Sequence, residues 1–352
     1  MLKPIYKRLF DAQGIAGHES SVRKIMKTEL GKHTSFDIRT DNLGSVFGVK
    51  EASVANPFVV MVAGHMDEVG LMVSGITDDG MLKIQPLGGL SGEVLVSQVM
   101  DVHGANGIVK GIIGAIPPHL KKSQNVDVSQ MRLDIGARNR EEAHAFGVRT
   151  GDMVAFQNPF SVSKNGRRVI AKAIDNRYGC GLALEAAARY NSRDLPYTLV
   201  TGATVQEEVG LRGAETSVNT FGPDIFIALD ASPVNDVLDK TSLGKLGGGF
   251  LLRIHDPRNV IHQGLLRLIV KIAERKRIKF QYFTSLGGTD AAKALDMADG
   301  IPATTIGLPA RYIHSSAAMM DLEDLASARQ MLFSLLDTLT PEIIRSLKEG
   351  TL

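Results

Sequence analysis

Five apolar, strand-like segments, each followed within a few residues by a histidine or an acidic side chain, constrain the fold of this 352-residue chain most strongly. Continuous apolar runs of this length are typical of strands in a sheet that is covered on both faces. Helix-like segments separate several of them, and this alternation predicts an α/β fold with a largely parallel sheet between helices. The five segments are Phe58–Ala63, Val169–Ile174, Thr198–Val205, Ile225–Leu229 and Ala303–Leu308.

The sequence between about residues 69 and 163 follows a different pattern. Short strand-like runs over Leu71–Ile76, Leu95–His103 and Ile108–Ile113 alternate with turn residues, and Asn106-Gly107 is a specific hairpin signal. Closely spaced strands of this kind predict a small β-barrel or a β-sandwich. We therefore expect one α/β domain over residues 1–67 and 165–352, interrupted by a β-rich domain over 68–164 that pairs subunits and shapes access to the site.

Helical periodicity and cap residues mark further segments. A short helix is expected over Glu141–Val148, and a single long helix at the end of the chain over Leu322–Leu347. Thr289 is placed to act as the N-cap of a helix that follows Gly287-Gly288. The pair Lys121-Lys122 lies in an expected loop of the β-rich domain and is assigned no role.

The composition excludes several classes of protein. Lys and Arg number 40 against 38 Asp and Glu, a net charge of +2, whereas a protein built to bind nucleic-acid phosphates needs a basic excess. The apolar runs are far shorter than a membrane span, and the first residues show no apolar leader segment. One cysteine cannot form an internal disulfide, which fits a reducing compartment. We therefore expect a cytoplasmic protein that binds neither nucleic acid nor membrane.

The polar residues at the strand ends form the candidate site. In open α/β sheets, ligands bind at the carboxyl ends of the strands, so these side chains should converge on one rim. A lone His-x-Asp or an adjacent Glu pair is usually a feature of the solvated surface, but here five strand ends all carry metal-ligand types. The residues concerned are His65, Asp67, Asp175, Glu207, Glu208, Asp230 and His314.

Carboxylates crowded on one rim repel one another, and a divalent cation removes that cost. One imidazole and two carboxylates per ion, with water in the open position, form a usual catalytic zinc shell, and two ions can share one carboxylate. Two divalent ions, one bridging hydroxide and the carboxylates of Asp175, Glu208 and Asp230 sum to zero charge. Such a pair activates water and polarises a carbonyl, as amide hydrolysis requires.

Two further roles follow from position in the sequence. Glu207 and Glu208 are neighbours, and in extended chain their side chains point in opposite directions. One of them can then bind metal while the other faces the substrate as a general base. Asp67, two residues after His65, can accept the second imidazole N–H and fix the tautomer.

The segments that carry these residues resemble those of the M42 metallo-aminopeptidases, a family that includes glutamyl aminopeptidases and tetrahedral archaeal aminopeptidases. The resemblance covers nearly the whole chain, and the matching segments occur in the same order. They are Ala63–Gly70, Ala173–Gly179, Val205–Ala214, Gly287–Asp290 and Ala310–Ser315. The resemblance implies a zinc-peptidase-like mixed sheet with an inserted small barrel, a cis Asp175–Asn176 peptide and assembly into a tetrahedral dodecamer.

The resemblance also implies two metal ions, zinc or cobalt, and a reaction. N-terminal residues are removed from short peptides by a hydroxide that bridges the metals, with Glu207 as the general base. The implied ligands are His65 and Asp230 for one ion, Glu208 and His314 for the other, and Asp175 as the bridge.

Substrate preference rests on fewer residues. Leu252–Pro257 and Ala310–Ser315 are most similar to the glutamyl subgroup, which implies a preference for N-terminal Glu or Asp. Arg253 is the candidate contact to the substrate carboxylate, since an arginine can form two parallel hydrogen bonds to it; a surface salt bridge is the alternative. Three other functions stay open: a broad-specificity aminopeptidase for Leu or Lys, a metal-dependent carboxypeptidase or deacylase, and a catalytically silent binding protein.

Overall fold

The structure of the chain is a computed structural model that describes residues 2–115, 119–120 and 127–352, so Lys121-Lys122 lie outside the described residues. The helices are α1 (Pro4–Asp11), α2 (Ser20–Leu30), α3 (Arg140–Ala145), α4 (Ile174–Tyr190), α5 (Arg212–Phe221), α6 (Gln263–Lys276), α7 (Asp290–Leu295), α8 (Leu322–Leu336) and α9 (Pro341–Lys348). The strands are β1 (Asp37–Thr40), β2 (Val46–Lys50), β3 (Val59–His65), β4 (Gly70–Ile76), β5 (Leu82–Leu87), β6 (Val99–Gly104), β7 (Gly107–Ile113), β8 (Arg132–Asp134), β9 (Met153–Phe156), β10 (Ser161–Val162), β11 (Arg168–Ala171), β12 (Thr198–Thr204), β13 (Ile225–Pro233), β14 (Phe250–Asp256), β15 (Asn259–Val260), β16 (Phe280–Thr284), β17 (Ala303–Arg311) and β18 (Ala318–Asp321).

Twelve of the described strands form one large mixed sheet. Its centre is the parallel set β12-β3-β13-β17. Antiparallel strands extend it on both sides, β2 and β1 next to β12, and β18, β11 and β10 next to β17. The predicted mixed α/β fold is confirmed, but the parallel order is limited to the central strands and the short β14–β16 pair.

Helices cover both faces of this sheet. The side chains of β3 alternate between two cores, as the period of a strand requires. Val60 and Val62 belong to the larger core, with residues of α1, α2, α4 and α8. Met61 and Ala63 belong to a second core on the opposite face, with residues of α5 and α7. This explains why the β3 sequence is apolar at every position from Val59 to Ala63 instead of alternating.

The remaining six strands, β4 to β9, close into an antiparallel barrel in the order β4-β5-β8-β7-β6-β9. The barrel has a core of its own, which includes Leu71, Met100 and Phe156. Its β6–β7 hairpin pairs Gly104 with Gly107 around a two-residue loop, and Gly107 has φ +117°, a conformation that favours glycine. The predicted barrel and its hairpin are therefore present between β3 and the later strands of the large sheet.

Three local predictions were wrong in their bounds. The run Leu95–His103 becomes a strand only from Val99, because a 3₁₀ turn over Gly92–Val94 precedes it and Leu95 is buried at the end of that turn. The helix expected over Glu141–Val148 is α3, which ends at Ala145. The single final helix is in fact α8 and α9, separated because Thr340 caps α9 through Ile343 N (3.3 Å) and a proline follows at the first helical position.

The longest described helix, α4, has 17 residues, fewer than the approximately 20 that span a bilayer. None of the helices in the described part of the chain combines the length and apolar character that crossing a membrane requires.

Candidate metal centre

The predicted site residues converge at the carboxyl edge of the central strands, where all of them except Asp67 line one pocket of about 730 Å³. His65 is the last residue of β3, and Asp230 lies in β13, which is paired to β3. Glu207 and Glu208 follow β12, and His314 follows β17 with φ +57°. The parallel order of these strands therefore brings residues far apart in the sequence to one place.

Asp175 reaches the same pocket from the start of α4. Asp175 and Asn176 have non-helical backbone angles, and the peptide bond between them is cis, as the resemblance implies. The chain therefore departs from helical geometry at Asp175 and Asn176, and α4 is regular only after them.

Asp175 divides the site into two donor sets. Its Oδ1 lies 3.2 Å from His65 Nε2, and its Oδ2 lies 3.4 Å from His314 Nε2. Each imidazole faces a further carboxylate: His65 Nε2 is 3.7 Å from Asp230 Oδ1, and His314 Nε2 is 3.4 Å from Glu208 Oε2. Glu207 Oε2 is 3.8 Å from His65 Nε2. The two sets thus share one carboxylate and have one imidazole and one further carboxylate each.

Burial and neighbouring charges shift the pKa values of the site residues. Burial raises the pKa of Glu207 well above its usual range, and the charges of Asp230 and Glu208 raise it further. Burial also raises the pKa of Glu208 and of Asp230. Burial acts to lower the pKa of His314, yet hydrogen bonds to Asp175 and Glu208 raise it to about 11. Among the described residues, no lysine or arginine forms an ion pair with these four carboxylates, and the two imidazoles lie against them.

The donors fit divalent metal ions. His65, Asp175 and Glu208 can offer atoms within 4.8 Å of one another, as can His65, Glu207 and Asp230. Asp175 Oδ1 and Glu208 Oε1 are buried and receive no aligned hydrogen bond from the described residues, although His65 lies near the first of them. Mixed imidazole and carboxylate donors are the ligands of catalytic zinc sites. These two unpartnered oxygens are available as ligands for such an ion.

The M42 glutamyl aminopeptidase family model matches residues 44–331, which include both donor sets. The chain belongs to the M42 family. It is therefore a peptide hydrolase of a metal-dependent family, and the predicted family is confirmed.

Known M42 proteins and structures are similar along the whole chain. The glutamyl aminopeptidase of Lactococcus lactis subsp. cremoris is 38% identical, covering 97% of this chain and 98% of the relative. The lysyl aminopeptidase of Pyrococcus furiosus is 29% identical, covering 96% and 97%. The TET aminopeptidase from Thaumarchaeota archaeon SCGC AB-539-E09 superposes with a TM-score of 0.92 at 35% identity, covering 97% and 98%. Pyrococcus horikoshii TET1, described as assembling into a tetrahedron or a large octahedral shell, has a TM-score of 0.85 at 30% identity, covering 95% and 99%.

The two histidines of the candidate metal centre in this M42 peptidase are oriented by main-chain oxygens. His65 Nδ1 lies 3.0 Å from the carbonyl oxygen of Asp67, and His314 Nδ1 lies 2.9 Å from that of Gly89, in the loop after β5 of the barrel. A carbonyl can only accept, so Nδ1 carries the proton in both rings, and Nε2 faces the carboxylates.

Asp67 therefore differs from its sequence-based role. Its carboxylate Oδ1 is 3.5 Å from His65 Nδ1, farther than its own carbonyl oxygen. The carboxylate instead accepts hydrogen bonds from the backbone N–H groups of Glu207 and Glu208, each at 3.0 Å. Asp67 thus ties the end of β3 to the turn that carries the glutamate pair. The sequence contained no signal for this contact, because the donors are main-chain groups 140 and 141 positions away.

The backbone at the glutamate pair also has a different conformation from the extended one that was expected. Glu207 and Glu208 are in a turn after β12, and Gln206 before them has φ +53°, so they do not alternate as in a strand. Their carboxylates still separate, Glu207 towards His65 and Glu208 towards His314.

Thr289 is the N-cap residue of α7, but its side chain forms no capping hydrogen bond. Its hydroxyl pairs with that of Thr305 at 2.9 Å. The following Asp290, which the sequence analysis did not single out, is buried, and Thr204 Oγ1 donates to its Oδ2 at 2.5 Å. Burial raises the pKa of Asp290 to about 7. The segment before α7 also lines the pocket, through Gly287 and Gly288.

Two arginines outside the donor sets line the pocket. Arg253 is buried in β14, and its guanidinium forms a buried ion pair with Asp256, at 3.5 Å, in place of the surface salt bridge that the sequence left open. It also donates to Gly287 O at 2.9 Å and to Ser232 Oγ at 2.8 Å, and its Nε has no partner among the described residues. Arg258, missed by the sequence analysis, is exposed, and its guanidinium has no hydrogen bond or ion pair with the described residues. The signal that could have identified Arg258 is its position, since it is a basic residue two positions beyond the end of β14.

Proposed function

We propose that this M42 peptidase binds two divalent ions, zinc or cobalt, and removes N-terminal Glu or Asp from short peptides. The observation that carries the two-ion proposal is the position of Asp175, whose two carboxylate oxygens each face a different imidazole. His65 and Asp230 would hold one ion, Glu208 and His314 the other, and Asp175 both. When bound, such ions lower the pKa of a coordinated water and polarise a neighbouring carbonyl.

Glu207 is the proposed general base. It lines the pocket, forms no ion pair with a Lys or Arg of the described chain, and has a pKa that burial raises. A carboxylate of raised pKa takes a proton from water and returns it to the leaving amine more readily than an ordinary one. Asp67 contributes because its carboxylate accepts a hydrogen bond from the Glu207 backbone N–H. This contact fixes the backbone from which the Glu207 side chain extends.

Glu207→Gln tests this role, because glutamine keeps the shape but cannot accept the proton. We expect kcat to fall by about 10²- to 10⁴-fold, with metal content by elemental analysis unchanged. The control is Glu215→Gln on α5, where the glutamate is half-exposed and pairs with Lys293. Full activity in Glu207→Gln would refute the base role, and loss of metal would make Glu207 a ligand.

The acidic preference is proposed to depend on both pocket arginines. Arg253 would act from the wall through its unpartnered Nε, and Arg258 from the mouth, where its guanidinium can pair with a substrate carboxylate. We expect the ratio of kcat/KM for Glu- over Leu-p-nitroanilide to fall about tenfold in Arg258→Ala and in Arg253→Ala, equivalent to about 1.4 kcal/mol of transition-state binding. Exposed Arg275→Ala, at the end of α6, is the control.

The wild-type substrate panel separates the alternatives. Chelator-stripped protein is assayed on Glu-, Asp-, Leu- and Lys-p-nitroanilide with and without added zinc or cobalt. Metal-dependent cleavage that favours Leu or Lys would discard the acidic preference and keep the di-metal mechanism. Cleavage of N-acylated substrates alone would favour the deacylase or carboxypeptidase alternative, and no cleavage with any substrate would favour a binding role.

We also propose assembly into a tetrahedral dodecamer, with contacts on the barrel domain of residues 68–164. The β6–β7 hairpin supports this, because it exposes Val99, Ile108 and Ile112 by 46%, 55% and 46%, and Val99 pairs directly with Ile112. Light scattering should give twelve times the 37.9 kDa chain mass. Ile108→Lys with Ile112→Lys should reduce that mass, and an unchanged assembly would move the contacts elsewhere.

A cytoplasmic setting is part of the proposal. Its support is Cys180, the single cysteine of the chain, which is free and buried, and whose pKa burial raises to about 12. Such a thiol packs as a small apolar group and has no disulfide partner. Subcellular fractionation of the native host, with the activity recovered outside the cytosol, would contradict it.

A further inference from the structure

Arg177, two residues after Asp175, has all five of its N–H groups bonded while its side chain is fully buried. Nε donates to the carbonyl oxygen of Met66 at 2.7 Å. The two terminal nitrogens donate to the carbonyl oxygens of Leu9, Ala12 and Gly14 and to the carboxylate of Glu68, at 2.6 to 3.1 Å. A guanidinium offers these five donors in a rigid, planar fork, so the acceptors are fixed relative to one another.

Two of these acceptors, Met66 and Glu68, belong to the segment that carries the site residues His65 and Asp67. Met66 lies between His65 and Asp67, and Asp67 in turn holds the backbone of Glu207 and Glu208. The three carbonyls of residues 9–14 belong to the end of α1 and the loop after it. Arg177 therefore connects the Asp175 segment to the His65–Asp67 segment by a hydrogen bond, and it also binds residues 9–14 through three further hydrogen bonds.

Neutralising Glu68 does not require Arg177. Lys172 Nζ already contacts both oxygens of Glu68, at 2.6 and 2.7 Å, whereas Arg177 makes one longer contact of 3.1 Å. The cluster of one carboxylate and two cations carries a surplus positive charge in the interior, and four of the five Arg177 hydrogen bonds go to main-chain carbonyls. The arrangement is that of a side chain that fixes backbone positions, and not of a simple ion pair.

We propose that Arg177 is a positioning residue for the metal site: it sets the distance between Asp175 and the His65–Asp67 segment, so that the donors are in place before any cation binds. This inference rests on the proposed function, since it requires that the donor sets bind metal. Groups that orient metal ligands in this indirect way typically change metal affinity by about 10- to 100-fold when they are replaced.

Arg177→Lys tests the proposal, because lysine keeps the charge but has three donors on a flexible stem and cannot span these acceptors. The control is Arg329→Lys, which breaks another buried contact of α4, with Glu185, ten positions after Asp175. Chelator-stripped wild type and both variants are titrated with zinc by calorimetry, and their unfolding is measured in chelator. We expect zinc affinity about 10- to 100-fold weaker in Arg177→Lys, and wild-type affinity in Arg329→Lys.

Wild-type affinity and stoichiometry in Arg177→Lys would overturn the inference while leaving the proposed function intact. A wild type that binds no zinc, cobalt or other divalent ion would overturn the proposed function, and the inference with it. If Arg177→Lys does not fold, hydrogen exchange of the wild type decides. Peptides covering 64–70 and 206–209 should stay protected after chelation if Arg177 holds the site, and loss of their protection would overturn the proposal.

Discussion

Two clusters of buried charged side chains lie next to each other in this protein, and their carboxylates are balanced in opposite ways. In the first, Glu68 has Lys172 against both oxygens and Arg177 against one. In the second, at the rim of the sheet, four carboxylates face two imidazoles, and oxygens of Asp175 and Glu208 have no aligned donor among the described residues. The clusters are joined by sequence, since Glu68 follows Asp67 and Arg177 lies two residues after Asp175.

The difference separates acids that hold the fold from acids that act on a ligand. A buried carboxylate is tolerated when the chain supplies a cation for it. Burial raises the pKa of Glu207, Glu208 and Asp230, and neighbouring carboxylates raise it further. No lysine or arginine of the described residues forms an ion pair with them, and Arg253 lowers the pKa of Asp230 only from a distance. Removing a charge should therefore harm the first cluster and relieve the second.

The largest effect is expected for Glu68→Gln. It leaves Lys172 and Arg177 buried without their carboxylate, which should lower the free energy of unfolding by about 3–5 kcal/mol. Because this cluster does not depend on metal, urea unfolding should show the same loss with and without chelator. The exposed pair Glu215–Lys293 provides the control, since Glu215→Gln should change stability by less than about 1 kcal/mol. An equally small loss in Glu68→Gln would remove the distinction between the clusters.

Metal removal should have the next largest effect. Cations that bind only the folded chain add about 2.7 kcal/mol to its stability at one hundred times their dissociation constant. Thermal unfolding of the wild type should therefore shift to lower temperature on addition of EDTA and return with zinc or cobalt. A transition temperature that is the same in both conditions would mean that the second cluster is balanced by other means.

The smallest effect carries the opposite sign. Burial raises the pKa of Asp230, so its ionised form disfavours the folded state at neutral pH, and Asp230→Asn should raise the stability of chelator-treated protein by on the order of 1 kcal/mol. With metal present, Asp230→Asn should be less stable than the wild type, because the variant lacks one of the proposed metal ligands. If Asp230→Asn lowers stability in chelator, the rim carboxylates are not in excess.

The sequence predicts the second cluster far better than the first. The rim residues stand directly after apolar strands, and the parallel order of β12, β3, β13 and β17 is sufficient to bring His65, Asp230 and the glutamate pair together. Arg177 was visible only as part of a family-like segment, because four of its acceptors are main-chain oxygens, which residue identity does not reveal. The same reason hid the contact between Asp67 and the glutamate backbone.

Other errors came from signals that were present but not used. Pro341 marks the start of α9, and a proline at this point excludes a continuous helix through Leu322–Leu347. The expected strand over Leu95–His103 ignored Ser91, whose side chain accepts from Glu93 N and begins a 3₁₀ turn. The extended backbone assumed for Glu207 and Glu208 could not be tested from the sequence, because Gln206 at φ +53° is not a residue type that indicates a turn.

The hydrogen bond between His314 and Gly89 has a consequence for how this protein can diverge. The barrel contributes to the site through one main-chain oxygen, at 2.9 Å from Nδ1, and through no side chain of the donor sets. The turn that provides this oxygen is restricted in residue type as well as in path: Gly88 has φ +89°, and a Cβ at Gly89 would lie 3.2 Å from His314 Nδ1. The position of the second imidazole therefore depends on two glycines of the barrel and on no barrel side chain, so we expect the rest of the barrel sequence to vary more freely than this turn.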